Sequence, residues 1–327
     1  MKYERKEYTV QELIDKGMLC EPIDGNHGSI HPKTADYVSS GVPFIMANNL
    51  VDGVIDFNSC TFISEKQAQT LRKGFAKSGD VLLTHKATIG RTAIVPNNYE
   101  TIVLTPQVTY YRTISGIHNG YLKYYFDSPS FQTILNNWAG SGSTRAYLGI
   151  KAQHKLPIVL PPYEIQVKIS RVLETFDQKI KINRGINENL EQQAAALMTN
   201  YCATTSSTAE LGQIMSFENG FAFQSKSYLP SGKYRIITIK NVQDGKIDSQ
   251  GAAFINDIPP KMKAGCFLSI GDSLLSLTGN VGRVGIVYEN ELLLNQRVAE
   301  FLPNDTVLLP WLYYYFRLPS MKTSLET

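Results

Sequence analysis

The sequence predicts an α+β protein in which a long helix separates two related, β-rich modules. Two observations predict this. Apolar residues recur at helical spacing from Pro161 to Tyr201, and the segments before and after this stretch share three sequence blocks in the same order. We therefore expect a first module at residues 1–160, a helix at residues 161–203 and a second module at residues 204–327.

The central stretch is amphipathic. It follows Pro161 and Pro162, which suit the start of a helix but not its interior, and Lys, Arg, Glu and Gln fill its other faces. The pattern predicts one helix of coiled-coil character, about 55 Å long at a rise of about 1.5 Å per residue. A core helix of an ordinary domain is the alternative. The stripe expected to pack against a partner helix contains Ile165, Ile169, Val172, Phe176, Ile180, Leu190 and Leu197.

The segments on either side of this stretch are copies of each other. The offset is 241 − 49 = 192 residues for the first two blocks and 311 − 121 = 190 residues for the third. Three blocks in one order indicate an internal duplication. The matched pairs are Asn49–Asp56 with Asn241–Asp248, Gly79–Thr84 with Gly271–Ser276, and Tyr121–Phe126 with Trp311–Phe316.

Two further motifs accompany the duplication. The helix is preceded by Leu160-Pro-Pro-Tyr-Glu-Ile-Gln166, and each copy carries Gly-Asp followed by apolar residues and then Gly-Arg. With these motifs, nearly the whole chain resembles the specificity subunit of type I restriction-modification systems. The resemblance implies that each copy is a target-recognition domain that reads one half of a split DNA site and is followed by a spacer helix.

The two copies differ at their ends. The second copy stops at Thr327, which corresponds to position 327 − 190 = 137 of the first, before the Gly-Ser-rich loop and the helix that follow in the first copy. In the family that the chain resembles, a second helix packs antiparallel against the first. We therefore expect a shortened second domain, and we expect the stripe to be covered by the helix of a second copy or by a methyltransferase subunit.

Composition indicates an ordinary globular protein. Of the 327 residues, 43% are hydrophobic and 19% are charged, which suits two domains and a connecting helix. No uncharged apolar run approaches the ~18 residues of a membrane span, and no apolar signal segment follows Met1, so we expect a cytoplasmic protein. Four scattered cysteines without a Cys-x-x-Cys pair suggest neither a zinc site nor disulfides. The net charge of +3 alone is weak support for a nucleic-acid partner.

A polar loop at Asp24–His31 is the first candidate DNA contact. It is rich in turn formers and hydrogen-bond donors, and Asn26, His27 and Ser29 could face a base edge or a phosphate. A solvated tight turn is the alternative. The second copy has Asn219–Ser225 here, with Gln224 and Lys226 as the candidates. Such a difference is expected of two domains that read different sequences.

The regions after these loops read as β-structure. Hairpins are predicted around Asp52-Gly53 and Asp244-Gly245, and residues 9–20 predict a short helix with a capping box of Thr9 and Glu12. Further strands are predicted at residues 81–84, 92–95, 101–112, 273–277, 284–287 and 292–302.

The block after each Gly-Asp turn is the most informative candidate. Arg or Lys can pair bidentately with guanine and Asn with adenine, each worth about 1–3 kcal/mol of discrimination. The alternative is that the shared Gly-Arg pairs only shape a hairpin. Positions 85 and 86 differ between the copies and are therefore better candidates for readout than the shared residues. The candidates are His85, Lys86, Thr88 and Arg91 in the first copy and Thr278, Asn280 and Arg283 in the second.

The Gly-Ser-rich segment Gly140–Tyr147 is a third candidate. It could be a flexible linker, but by the resemblance Ser143, Thr144 and Arg145 are candidate DNA contacts. The tyrosine-rich runs Tyr121–Phe126 and Trp311–Phe316 could stack on bases, although their helical spacing favours core packing.

Two other functions fit parts of the sequence less well. The segment Leu160-Pro-Pro-Tyr163 superficially resembles the Asp/Asn-Pro-Pro-Tyr motif of adenine methyltransferases, but a leucine cannot accept a hydrogen bond from the target base. We find no glycine-rich cofactor loop, Walker motif or metal-ligand spacing, and expect neither catalysis nor a bound metal or cofactor. A protein that only assembles through its coil is the other rival, and it would not explain polar loops that diverge between matched copies.

The resemblance implies several partners besides double-stranded DNA. These are methyltransferase subunits that use S-adenosylmethionine and a restriction or translocase subunit that uses ATP and Mg²⁺. A homodimer through the spacer helix is a further expectation.

Overall fold

The computed structural model describes residues 5–140, 146–205 and 208–326 of the chain. It contains two compact units, Met1–Ile182 and Asn183–Thr327. Each unit is β-rich, and one long helix contributes residues to both, which confirms the predicted fold class. Within the described ranges, no helix is long and apolar enough to span a bilayer.

The first unit combines short strands with small helices. The predicted capping box is present, since Glu12 N donates to Thr9 Oγ1 at 3.2 Å and Thr9 N to Glu12 Oε2 at 2.7 Å. The helix ends at Asp15 rather than near residue 20, and Gly17 takes a positive φ of 66° just beyond it.

The helices before the long one are α1 (Val10–Asp15), α2 (Glu65–Gln69), α3 (Asn119–Asp127), α4 (Pro129–Trp138) and α5 (Ile150–Gln153). The strands are β1 (Lys6–Thr9), β2 (Ile23–Asp24), β3 (Tyr37–Val38), β4 (Val42–Ile45), β5 (Leu50–Val51), β6 (Val54–Ile55), β7 (Thr61–Ile63), β8 (Phe75–Lys77), β9 (Val81–Lys86), β10 (Thr88–Ile94), β11 (Thr101–Leu104), β12 (Val108–Tyr111) and β13 (Pro157–Leu160).

Two sheets form most of the first unit. One has the strand order β10-β9-β12-β2, and the other has the order β3-β7-β4-β11-β8, in which β11 runs parallel to β4. The hairpin β5-β6 turns at Asp52-Gly53, as predicted. Val81, Leu82 and Leu83 are fully buried because β9 is covered on both faces, which explains its unbroken apolar sequence.

The second unit follows the first part of the long helix α6 (Tyr163–Thr204). Its remaining helices are α7 (Leu211–Ile214), α8 (Leu309–Arg317) and α9 (Pro319–Glu326). Its strands are β14 (Met215–Asn219), β15 (Tyr234–Ile237), β16 (Val242–Gln243), β17 (Gly245–Ile247), β18 (Ala253–Ile255), β19 (Phe267–Leu268), β20 (Ser273–Ser276), β21 (Val284–Ile286), β22 (Leu292–Leu294) and β23 (Val298–Pro303).

The second unit repeats the pairing of the first. Its strand orders are β14-β23-β20-β21-β17-β16 and β18-β15-β22-β19. The parallel pair β15-β22 corresponds to β4-β11, and the antiparallel series β23-β20-β21 corresponds to β12-β9-β10. The duplication predicted from three sequence blocks is therefore also a duplication of fold.

The prediction of two long strands was wrong. Residues 101–112 form β11 and β12, which belong to different sheets, and residues 292–302 form β22 and most of β23 in the same way. The breaks at residues 105–107 and 295–297 are turns in which Val108 N donates to Thr105 O at 3.1 Å and Val298 N to Asn295 O at 2.9 Å. Apolar residues lie directly before and after each three-residue turn, so each stretch was read as one strand.

The helix α6 starts two residues after its predicted beginning. Its first turn is tied to the first unit by the buried amide of Gln166, which accepts from His118 N at 2.9 Å and donates to Gly116 O and Pro161 O at 3.0 and 2.9 Å. The Pro-Pro pair thus precedes the helix, and a side chain satisfies backbone groups around its start.

The predicted stripe on α6 divides into two parts. Ile165 and Ile169 are partly buried, and Ile169 packs on the core of the first unit, so their contact with a partner helix stays a prediction. The remaining members are exposed, from 49% at Ile180 to 71% at Leu197. The exposed stripe is the set Val172, Phe176, Ile180, Leu190 and Leu197.

The partly buried carboxyl of Glu300 distinguishes the second unit. In the first unit, Asp80 accepts from Arg112 Nε and Nη2 at 2.8 and 2.7 Å. Asp272 occupies the equivalent place in the second unit, where Leu302 stands at the position of Arg112. Burial, together with Asp272 and Glu218, raises the pKa of Glu300 to about 7.

We predict that this carboxyl makes the second unit less stable in base. A raised pKa means that folding favours the protonated form of Glu300. Its contribution to the free energy of unfolding is therefore fully present below the pKa of the unfolded chain and is lost as the pH rises through about 7. Glu300→Gln should raise the unfolding midpoint at pH 8 by a few degrees, at about 2–4 °C per kcal/mol, and change it little at pH 5. Trp311 fluorescence in a Trp138→Phe background reports the second unit. The exposed Asp257→Asn is the control, and equal shifts at both pH values would contradict the assignment.

Candidate nucleic-acid interface

The predicted DNA-contacting segments of the first unit converge on one turn. His85 N donates to Gln107 O at 3.0 Å, and β2 pairs with β12, the strand that follows this turn. The strand end at residues 85–87 also pairs with the segment after the Gly-Ser-rich loop, since Ala87 N donates to Ala146 O at 3.0 Å and Leu148 N to His85 O at 2.9 Å. Segments that are more than fifty residues apart in the sequence therefore share one surface.

A close approach to the turn at residues 105–107 requires glycine. A Cβ on Gly25 would lie 1.9 Å from Leu104 O, so any side chain there would displace the loop. The second unit repeats this feature, because a Cβ on Gly220 would lie 2.4 Å from Asn295 O. Each glycine places the polar loop that follows it against the turn.

An ionic network lies at the start of the first loop. Asp24 is nearly buried, and its carboxylate pairs with Lys73 and, at 2.9 Å, with His27 Nε2. Burial alone would raise the pKa of Asp24, but the hydrogen bonds and positive charges of Lys73 and His27 lower it below its usual value. The carboxylate thus stays ionised and holds two partly exposed groups that can carry positive charge.

Two of the predicted contacts prove to be structural. Asn26 is 3% exposed, and its amide accepts from Arg72 N and Lys73 N at 2.9 and 3.3 Å and donates to Lys73 O. His85 is fully buried, with Nδ1 3.0 Å from Leu148 O, and burial lowers its pKa so that it is neutral near pH 7. Neither side chain is accessible to DNA, so the expectation of direct contact was wrong for both. They hold the recognition segments in place.

The shared arginines also serve the fold. Arg91 Nη1 donates to Leu50 O at 3.2 Å, and Arg283 Nη1 donates to Gln243 Oε1 at 3.2 Å. Both therefore reach the Asp-Gly hairpin of their own unit. This contact supports the alternative stated above, that the Gly-Arg pairs shape the hairpin.

The accessible candidates of the first unit surround the same turn. His27, Ser29, Lys86 and Thr88 are exposed. Lys86 Nζ lies 5.9 Å from the centre of the Tyr147 ring, and the Tyr147 side chain is half exposed. Ser143, Thr144 and Arg145 lie outside the described residues.

The second unit brings its candidates together in the same way. Phe221 N donates to Leu294 O at 2.9 Å, Gln296 N to Phe221 O at 3.0 Å and Leu277 N to Arg297 O at 3.0 Å, so both polar loops meet at residues 295–297. The candidates Gln224, Lys226, Thr278 and Asn280 are exposed, and Arg283 is partly so.

Two residues of these surfaces escaped the sequence reasoning. Arg297 is exposed on the second turn at the position of Gln107, and Lys73 pairs with Asp24. Variation between the copies was the available signal, since Thr105-Pro-Gln107 aligns with Asn295-Gln-Arg297. It went unused because the turns were hidden inside predicted strands. Among the described residues, no three His, Cys, Asp or Glu side chains are placed to hold a metal ion.

The fold and the candidate site thus describe a duplicated β-rich protein whose two units each present divergent polar loops around an equivalent turn. Residues 19–192 match the family model of the type I restriction modification DNA specificity domain, and this match covers more than half of the chain. The chain belongs to this family.

Two individual proteins that the chain resembles share limited sequence identity with it. The chain is 26% identical over 282 residues to the type I restriction enzyme MjaIX specificity subunit of Methanocaldococcus jannaschii, which covers 78% of this chain and 62% of that protein. The chain thus spans less than two thirds of this relative's length. The crystal structure of the type I restriction-modification S subunit from M. genitalium shares the fold, with a TM-score of 0.55, 14% identity, and coverage of 99% of this chain and 80% of that one.

We predict that buried and exposed candidates respond differently to alanine. Asn26→Ala leaves backbone groups at residues 72–73 without partners and should lower the free energy of unfolding of the first unit by about 1–3 kcal/mol. Lys86→Ala removes an exposed side chain and should change it by less than about 0.5 kcal/mol. Denaturant unfolding followed by Trp138 in a Trp311→Phe background measures both. Equal effects would contradict this division.

Proposed function

We propose that the chain is a sequence-specific DNA-recognition subunit of a type I restriction-modification complex and that each unit reads one half of a bipartite site. The observation that carries the proposal is the convergence of divergent polar loops on an equivalent turn in both units. A duplicated scaffold with different side chains at its exposed loops is suited to reading two different short sequences.

Charge near these turns supports a nucleic-acid ligand. The first unit presents Lys73 and Lys86 next to segments that are bonded to its turn. The second unit presents Arg297 within its turn and Lys226 on the polar loop that follows Gly220. Contacts from such groups to phosphates fix the position of a protein on a duplex, and they do so independently of sequence. The modest net charge is compatible with this arrangement because the cations that matter are local.

Base readout falls to the side chains that differ between the units. Asn280 can pair with adenine, and Lys86 or Arg297 can pair with guanine. Thr88, Thr278 and Gln224 supply further hydrogen-bonding groups of the appropriate reach. Asn26, His85, Arg91 and Arg283 act indirectly by holding the loops in position.

Catalysis by this chain is not part of the proposal. Leu160 of the methyltransferase-like segment is buried at the end of β13, where it pairs with Lys6, and it presents no acceptor to a base. We propose that methyltransferase subunits supply S-adenosylmethionine chemistry and that a restriction or translocase subunit uses ATP and Mg²⁺.

The exposed stripe of α6 requires a partner of its own, because contiguous apolar surface of this kind marks an interaction site. Members of the stripe and their neighbours form pairs at equal distances from Gly185. Phe176 faces Ala194 in this arrangement, so a large side chain meets a small one, and two asparagines meet near the centre, where their amides can fix the register. We propose that a second copy packs antiparallel on the stripe. The pairs equally distant from Gly185 are Leu173 with Leu197, Phe176 with Ala194, Ile180 with Leu190, and Asn183 with Asn187.

Selection from a pool of random duplexes tests the function. The protein should enrich two short sequences at a fixed separation. Lys86→Ala with Thr88→Ala should relax only one of them, and Thr278→Ala with Asn280→Ala only the other, at about 1–3 kcal/mol for each lost base contact. Asp257→Asn serves as the control. Enrichment of one contiguous sequence, or of none, would contradict the proposal.

Salt dependence separates positioning from reading. Lys73→Ala is expected to weaken binding equally for all sequences and to reduce the slope of log K against log salt by about one, because one phosphate contact is lost. An unchanged slope together with altered sequence preference would show that Lys73 reads bases instead.

Sedimentation tests the partner of the stripe. The wild-type protein should form a dimer, and Ile180→Asp with Leu190→Asp should leave it monomeric by placing charges in the apolar contact. Gln192→Asp adds a carboxylate to the same helix away from the stripe and should not disturb the dimer. A wild-type protein that stays monomeric would contradict the packing of a second copy on the stripe, and formation of a complex only with a methyltransferase subunit would assign the stripe to that subunit.

A further inference from the structure

In each unit, one carboxylate of α6 accepts hydrogen bonds from a second helix, α3 in the first unit and α8 in the second. In the first unit, Asp177 Oδ2 accepts from Tyr124 OH at 2.8 Å and from Lys123 Nζ at 3.3 Å. In the second unit, Glu191 accepts from Tyr314 OH at 2.9 Å, from Tyr313 OH at 3.2 Å and from Arg317. Both carboxylates belong to α6, and all of their donors belong to α3 or its equivalent α8.

The two contacts share a tyrosine but not their cation. Tyr124 and Tyr314 are equivalent, at an offset of 314 − 124 = 190 residues. The first unit supplies its positive charge from Lys123, whereas the second supplies it from Arg317, the equivalent of Asp127. Different side chains thus neutralise a carboxylate at the same kind of junction, so the sequence has diverged while the contact is retained.

The contact continues from the helix to the Asp-Gly hairpin. In the first unit, Lys123 Nζ lies 2.7 Å from the position of a Cβ on Gly53, directly against the hairpin. In the second unit, Arg317 Nε donates to Asp244 Oδ1 at 2.9 Å, and Lys322 Nζ lies 2.6 Å from Asp244 Oδ2. The Asp-Gly hairpin is therefore in contact with α3 in the first unit and with its equivalent α8 in the second.

The hairpin is in turn bonded to the strand that carries the recognition loop. Arg91 lies within β10 and Arg283 directly precedes β21, and each donates to the hairpin of its own unit. In the second unit, polar contacts thus lead from Glu191 through Arg317 and Asp244 to the hairpin, and from the hairpin to Arg283, next to the loop at residues 278–280. In the first unit, the corresponding series leads from Asp177 towards the loop at residues 86–88, with the packing of Lys123 against Gly53 as one of its steps. Such a series can fix position, because each member is held by its neighbour.

We propose that Asp177 and Glu191 are positioning residues that fix the recognition loops of their own units with respect to α6, and thereby determine which separation of half-sites the chain accepts. This inference rests on the proposed function. Neither carboxylate touches DNA in this account. Burial and the bond to Asp177 also raise the pKa of Tyr124, so its hydroxyl remains a donor at physiological pH.

The test measures spacing selectivity rather than affinity alone. Duplexes carry the two selected half-sites with the separation changed by one base pair in either direction, and single half-site duplexes are measured alongside. In Asp177→Ala or Glu191→Ala, the ratio of affinities for the best and the neighbouring separations should fall by about tenfold, the effect of one lost charge-assisted hydrogen bond. Affinity for single half-sites should be unchanged.

Glu188→Ala is the matched control, since it removes an exposed carboxylate from the same helix three positions from Glu191. Asp177→Asn and Glu191→Gln retain an acceptor for the tyrosine hydroxyl and should restore part of the selectivity. Tyr314→Phe should add nothing to Glu191→Ala, because both remove the same contact, but should be additive with Glu188→Ala.

Unfolding without DNA distinguishes the two ways of failing. A non-zero coupling between Glu191 and Tyr314 in stability shows that the contact exists whether or not DNA is bound. If bipartite duplexes bind but Glu191→Ala and Asp177→Ala keep the selectivity of Glu188→Ala, the positioning role is overturned and the proposed function stands. If no bipartite duplex binds although the coupling is present, both are overturned.

Discussion

The approach of a glycine to a backbone carbonyl is the constraint around which each recognition surface is built. Gly25 lies against Leu104 O, and Gly220 lies against Asn295 O, so closely that no side chain fits. Because β11 and β12 belong to different sheets, the turn between them is held from both sides, as is the turn between β22 and β23. A rigid turn that is crossed by a glycine loop gives polar residues nearby a defined position, and those residues are free to differ between the units.

The sequence predicted the architecture because its signals were redundant. The apolar stripe fixed α6 to within two residues, and the repeated Asp-Gly pairs located both hairpins. The turns at residues 105–107 and 295–297 could not be predicted in the same way. Strands that are buried on both faces read as continuous apolar runs, and such runs do not show where the chain passes from one sheet to another. Arg297 was missed for that reason.

The candidate site was predicted by region rather than by residue. Choosing polar side chains in loops that vary between the copies found Lys86, Thr278 and Asn280, which are exposed, but it also chose Asn26 and His85, which are buried. Loop composition does not say which polar group satisfies the backbone and which remains available. Asn26 satisfies three backbone groups, and this requirement appears only when residues 72–73 are brought beside it.

Folding and recognition are thus divided among neighbouring side chains. Buried polar groups and the shared arginines attach the loops to the hairpins and to α6, while exposed groups one or two positions away remain free to contact a duplex. Photochemical cross-linking of the protein to a bound duplex with bromodeoxyuridine in each half of the site tests this account most directly. It predicts cross-links from one half to residues near Tyr147 and His27 and from the other half to residues near Gln224 and Arg297. Cross-links from both halves to a single unit, or to surfaces such as β13 and α9, would contradict it.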